Sequence, residues 1–209
     1  MDSLHKTIES LARLPSPGPA PGFSPIHICR ALLTIGDDGP IGRIELSRRL
    51  AIGEGAIRTI IKHLTQAKVI HTIKNGSVLT KHGMSLYKPL RAKLSGIVFI
   101  DGRQLALDKA NAAILVRGAG QHVNRGIEQR DAAVRDGATG ACTLIVRDNA
   151  YVMPIEDPHA WKLERKDPLG QDLERLLQPK DKDAIIVVSA RERVVAAEAA
   201  MAAALTLLQ

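Results

Sequence analysis

Arg58, Lys62 and Gln66 recur at every fourth position of LAIGEGAIRTIIKHLTQAKVI, residues 50–70. At about 100° per residue, Arg58, Thr59, Lys62, His63 and Gln66 share one arc of a helix. Ile57, Ile60, Ile61, Leu64 and Ala67 fall on the opposite arc. A helix that only packs needs the apolar arc alone. A helix that reads DNA needs both, one face locked on its domain and the other holding donors toward bases and phosphates. Arg58 has the forked geometry for a guanine edge, and Gln66 or Thr59 can meet other edges. Lys62 suits a phosphate.

The flanking residues extend this footprint. Arg43, Arg48 and Arg49 fall on a preceding short helix, expected to cross the DNA backbone. Lys74 and Asn75 fall at a hairpin tip. Residues 40–95 hold 11 Lys/Arg against 2 Asp/Glu. Each phosphate neutralised adds about 0.9 to the salt slope of binding. The whole chain of 209 residues carries +7, unevenly spread. Residues 1–95 hold 14 basic against 6 acidic side chains, and residues 96–209 hold 15 against 16. The positive excess therefore lies in the first half and points to a polyanion, nucleic acid or an anionic membrane.

A second constellation is RGAGQHVNRGIEQRD, residues 117–131, which follows a strand-like run and opens a helix. Gly118 and Gly120 allow a turn whose N–H groups face an anion. Arg117, His122, Arg125, Gln129, Arg130 and Asp131 surround it, and an anionic small-molecule effector is the expected ligand. The dinucleotide fingerprint fails here and no Walker lysine follows. On the wheel from Ile127 to Gly137, Arg130 falls among Ile127, Ala133 and Val134. A charge in an apolar arc is costly unless paired or facing a cavity. Arg130 is thus either paired internally, with Asp131 or another carboxylate, or lines a pocket.

These groups must be carried by two domains after an arm. Residues 1–22 read as an amphipathic helix over 4–14 followed by PSPGPAPG, an extended Pro/Gly-rich arm. Residues 23–94 read as three helices and a hairpin around Asn75-Gly76, then a fourth helix bent or broken near Pro89. Ser24 is the expected cap of the first of these helices, Gly36 its end, and DDGP the turn after it. Helix, helix, helix, hairpin is the order of a winged helix-turn-helix. Residues 95–209 change rhythm. Strands are expected at 95–101, 111–118, 141–148, 150–156 and 183–190, with helices at about 125–137, 167–178 and 191–208. That order, β-β-α-β-β-α-β-α, is an α/β sandwich, and Asp148-Asn149 turns a hairpin within it. The fold class is therefore a two-domain α+β or α/β protein. In the last helix Val194, Glu198, Met201, Leu205 and Leu208 form a seam, for a core or for a dimer contact.

The segment PIGRIELSRRLAIGEGAIRTIIKHLTQAKVIHTIKNGSVLTKHG, residues 40–83, resembles the winged helix of the central glycolytic genes repressors. The matching pieces are Pro40-Ile41-Gly42-Arg43 and Leu79-Thr80-Lys81-His82-Gly83. The whole chain resembles an uncharacterised archaeal family that joins such a winged helix to an α/β domain of unknown function. RGIEQRDAAVRDGATGACTLI, residues 125–145, carries that second resemblance. Recognition helices of this class often open with Ser or Thr. This one opens with Gly53-Glu54-Gly55, and Glu54 favours the helix dipole while repelling phosphate, unless it accepts from a cytosine amino group.

The expected function is a DNA-binding transcriptional regulator acting on double-stranded DNA as a homodimer. Its second domain senses an anionic small molecule or dimerises. The alternatives are an enzyme in the second domain with a regulatory winged helix, or a winged helix used for protein contacts. No catalytic residues, metal ligands or cofactor are expected, since Cys29 and Cys142 stand alone and no metal-ligand spacing occurs. The run VVAAEAAMAAALTLL is broken by Glu198 and too short to span a bilayer. MDSLHKTIESLARL is charged and amphipathic rather than a signal sequence, so a cytoplasmic protein is expected.

Overall fold

The computed structural model describes residues 4–13, 22–154 and 161–208. The expected Pro/Gly arm and the end of the strand expected at 150–156 lie outside them. The chain divides into two compact units that meet in sequence between Arg91 and Ala92. No helix among the described residues is long and apolar enough to cross a membrane.

The first unit opens with α1 (Leu4–Ala12) and α2 (Pro25–Asp38). Ser24 precedes α2, and its backbone N–H donates to His27 Nδ1 at 3.0 Å. Helix α2 does not stop at Gly36, where a helix end was expected. Instead the Tyr87 ring lies so close that a Cβ on Gly36 would stand 2.2 Å from it. That glycine is there for a close approach and not for a cap. Two further short helices follow, α3 (Arg43–Leu50) and α4 (Glu54–Gln66). The hairpin is β1 (Ile70–Ile73) and β2 (Gly76–Leu79), and the helix α5 (Lys81–Lys93) follows it.

The hairpin register pairs Ile73 with Gly76, so the loop is Lys74-Asn75. Gly76 takes the positive φ, 134°, and a Cβ there would meet the Ile41 carbonyl. The close approach is used. Ile41 and Ser77 exchange two backbone hydrogen bonds, at 3.1 and 2.8 Å, adding a one-residue third strand. Thr80 then starts α5, since its hydroxyl accepts from Gly83 N at 3.0 Å. Helix α5 runs through Pro89 without the expected break. Its loss is one N–H, the one that would have met the carbonyl four residues back.

The second unit is a six-stranded antiparallel sheet with helices on both faces. Its strands are β3 (Val98–Phe99), β4 (Ala110–Val116), β5 (Gly140–Arg147), β6 (Ala150–Val152), β7 (Lys162–Glu164) and β8 (Ala184–Ala190), in the spatial order β3-β4-β8-β5-β6-β7. Strand β7 is an edge strand absent from the sequence expectation, and β3 is much shorter than expected. The helices are α6 (Ile127–Arg135), α7 (Pro168–Leu177) and α8 (Arg193–Leu205). Strand residues alternate between faces. Leu115, Leu144, Val146, Ile185 and Val187 form one core with Leu169, Leu173 and Leu177 of α7. Helices α6 and α8 pack on the sheet beside β5 and beside β4 and β8. Alanines 196, 199, 200, 203 and 204 are wholly buried, and small side chains let α8 lie close to the strands. Met201, Leu205 and Leu208 of the expected seam are buried and Val194 is exposed.

Candidate nucleic-acid interface

Helix α4 is oriented by its apolar arc. Ile57, Ile60 and Leu64 are fully buried, each stabilising its placement by about 1.5–3 kcal/mol. Ile61 is half-buried and Ala67 is exposed, so the inner arc is narrower than the wheel drew it. On the outer face Arg58, Lys62 and Gln66 are exposed. No ion pair involves Arg58 or Lys62 among the described residues. Two members of the expected reading face are half-buried and already engaged within the unit. Thr59 donates its hydroxyl to Gly55 O at 3.1 Å, and His63 packs edge-on against Phe23 at 6.0 Å between centroids.

The cations of α3 are differently placed. Arg48 donates two hydrogen bonds to Glu45, at 2.8 and 2.7 Å. Arg49 bridges Glu45 at 2.7 Å and Asp38 at 2.5 Å. The hydrogen bonds from Arg48 and then Arg49 hold the Glu45 carboxyl at about 2, well below the carboxylate range. Arg43 stands 3.3 Å from Glu54. The three arginines expected on the DNA backbone are therefore already paired with acids. The same pairing answers the concern over Glu54, since Arg43 offsets its charge at the start of α4. The α3 C-terminus is held by Arg30, which donates to Arg49 O and Leu50 O, both at 3.1 Å. Those carbonyls lack intrahelical partners.

Lys74 and Asn75 are exposed at the hairpin tip. Between the start of α3, α4 and the hairpin lies a groove of about 640 Å³, with Ile44 and Ile61 on its walls and Arg43 and Arg58 at its sides. Ile44 is 69% exposed. The groove has no signature in the period of any one helix, because α3, α4 and the hairpin each supply part of its wall and Ile44 stands out of the core. Its position next to the α3 N-cap, Gly42, was the available signal.

In the second unit the expected anion turn is occupied by the chain itself. Asp183, 4% exposed, accepts from Gly118 N at 2.7 Å and Lys180 N at 2.9 Å, with Arg117 at 3.8 Å. Gly120 N donates to Lys182 O at 2.7 Å and His122 N to Ala119 O at 2.9 Å. The glycine turn is therefore a structural hub. Gln129 is buried and donates to Thr206 Oγ1 at 2.8 Å, so it is a link to the end of α8. Arg130 is exposed and pairs with Asp131 at 3.0 Å. Its apolar neighbours on the wheel, Ile127 and Val134, are exposed too. Apart from Ala133, which is buried, the face drawn as apolar and inward is the outer face of α6. Arg125 is also exposed and borders two cavities beside the start of α6. Arg147 and Thr143, which line these cavities, were not singled out by sequence.

Neither cysteine is bridged, and burial pushes the thiols up, Cys29 to about 12 and Cys142 to about 11. No cluster of His, Cys, Asp and Glu among the described residues is arranged to hold a metal.

Residues 33–85 match the family model of the PH0730-like N-terminal domain. Residues 107–207 match that of a domain of unknown function, DUF4443. No curated protein matches the chain. Among solved structures, the hypothetical protein PH0730 from Pyrococcus horikoshii OT3 is similar, at 27% identity and a TM-score of 0.65. The alignment covers 87% of this chain and 91% of that one. The archaeal relative and the domain of unknown function agree with the resemblance drawn from the sequence.

Proposed function

We propose that the first unit is a winged helix-turn-helix that binds duplex DNA, and that the chain is a transcriptional regulator. Helix α4 enters the major groove and the Lys74-Asn75 loop, as the wing, reaches adjacent phosphates. One observation carries this reading. Arg58, Lys62 and Gln66 stand exposed, the two cations in no ion pair among the described residues, on the face of α4 opposite Ile57, Ile60 and Leu64. The pairing of Ile41, in the link between α2 and α3, with Ser77 of the hairpin supports the winged topology. Two half-sites call for two copies. Exposed Ile127 and Val134 on α6 support a homodimer through the second unit.

The test is a salt-dependent gel shift on duplex DNA. Arg58, Lys62 and Lys74 offer at most three phosphate contacts per copy, so the log–log salt slope is no steeper than about −2.7 per half-site. Absence of binding at low salt refutes the reading. A second reading, docking of another protein, is favoured by the apolar groove beside Ile44. It predicts no duplex binding and loss of a protein partner on Ile44→Asp.

A further inference from the structure

We propose that the second unit binds a small organic oxyanion, a carboxylate or a phosphate, in the depression at the start of α6. Two cavities of about 400 and 290 Å³ lie there, both bordered by Arg125, Met153 and Pro154. Arg147 lines the larger and Arg130 the smaller. Among the described residues no carboxylate lines either, and Glu128 on the first turn of α6 borders neither. Thr143 lines the smaller cavity, is 4% exposed, and its hydroxyl has no hydrogen-bond partner. A buried hydroxyl left unmet costs stability, so an acceptor arriving as ligand supplies what the fold lacks.

Gly126 keeps the place open. It precedes α6 with φ at 72°, and a Cβ on it would stand 3.3 Å from Thr143 Oγ1 and 3.5 Å from Pro154. The first N–H of α6 used within the helix is that of Arg130, bonded to Gly126 O at 3.1 Å. The preceding N–H groups and the positive end of the helix dipole face an incoming anion. Ile145, Val152 and Met153 give the larger cavity an apolar wall, suited to a ligand with an anionic head and an apolar body. Gly120 also borders the larger cavity, but the N–H groups of Gly118 and Gly120 are already taken by Asp183 and Lys182 O, so the donors left for an anion are those of α6.

This proposal takes up the effector expected for the second domain from its sequence and does not need the DNA-binding reading of the first unit. The test is calorimetric titration of the full chain with inorganic phosphate, acetate and octanoate, beside the DNA gel shift on the same preparations. We expect saturable binding of phosphate or of octanoate. Phosphate as the tighter probe identifies a phosphoryl ligand, and octanoate tighter than acetate identifies a carboxylate on an apolar body. Thr143→Val removes the hydroxyl at constant shape, so it weakens binding about tenfold while the melting temperature holds or rises. Arg147→Ala weakens binding by a similar factor, and Arg175→Ala on α7 leaves it unchanged. No saturation by any probe overturns the proposal, as does binding that survives either Thr143→Val or Arg147→Ala unchanged. Anion binding without a gel shift leaves the pocket standing and removes the DNA-binding reading; the reverse result removes only the pocket.

Discussion

Helices α4 and α6 both carry arginine on an outward face, yet they are held in opposite ways. Helix α4 is fixed by three buried aliphatic side chains, and among the described residues no acid pairs with Arg58 or Lys62. Helix α6 buries Gln129 and Ala133, exposes Ile127 and Val134, and pairs Arg130 with Asp131. A cation on a rigid support with no local partner has its charge available for a phosphate or a base. A cation beside its own carboxylate has much of that field cancelled. The comparison therefore separates charge that is displayed from charge that is used at home, and α3 falls on the second side with α6.

The largest effect expected tests the support. Leu64→Ala should destabilise the first unit by about 2–5 kcal/mol, through lost burial and the cavity left behind. Val134→Ala, on an exposed site of α6, should cost within about 0.5 kcal/mol. Amide hydrogen exchange over residues 54–66 and 127–135 reads both. Equal protection losses would mean that α4 is not the better anchored helix.

The next effect tests the display. Arg58→Ala should weaken binding to a selected duplex by about 1–3 kcal/mol, the worth of a bidentate base contact. Arg48→Ala should change it far less, because Glu45 already holds that guanidinium by two hydrogen bonds. Fluorescence anisotropy at fixed salt measures the pair. If Arg48→Ala costs as much as Arg58→Ala, the acid pairing seen in α3 gives way on DNA and the contrast between α3 and α4 is lost.

What could be read in advance follows the same division. Helix α4 was legible because thirteen residues give more than three turns, and its buried residues hold a helical spacing throughout. Helix α6 has nine residues and is mostly polar, so of the apolar arc on its wheel only Ala133 is buried, while Ile127 and Val134 face outward. The facts that correct it are not local. Gln129 is drawn inward by its amide nitrogen's bond to Thr206, and Gly36 is explained by Tyr87. The arginine pairings are local by contrast. Glu45 lies three and four residues before Arg48 and Arg49, a spacing that could have been read as a helix-surface pair. Strand β7 escaped because three residues flanked by charge carry too little alternation to register.

A smaller effect is expected at Glu54, where the two classes of cation meet. Glu54→Gln should release Arg43, raise affinity for nonspecific duplex a few-fold, and steepen the salt slope by up to about 0.9. Anisotropy titrations across a salt series measure it. Weaker binding instead would place Glu54 against a base, accepting from a cytosine amino group.

The smallest effect concerns Glu45, and it decides whether α3 belongs with α6. Its carboxyl is held at about 2 by hydrogen bonds from Arg48 and Arg49, against an ordinary value of 4.5. A depressed folded value means the pairing contributes stability above the ordinary value, and that contribution is lost as pH falls from 4.5 toward 2. The group is fully exposed, so the loss should be shallow and further screened by salt. The side-chain carboxyl carbon of Glu45, followed by NMR, should titrate near 2, and Arg48→Ala should move that midpoint upward. A midpoint near the ordinary value would mean that Arg48 and Arg49 are not held by acids in solution. Those two arginines would then join Arg58 and Lys62 as displayed charge. The duplex footprint would widen from one helix and a wing to two helices and a wing.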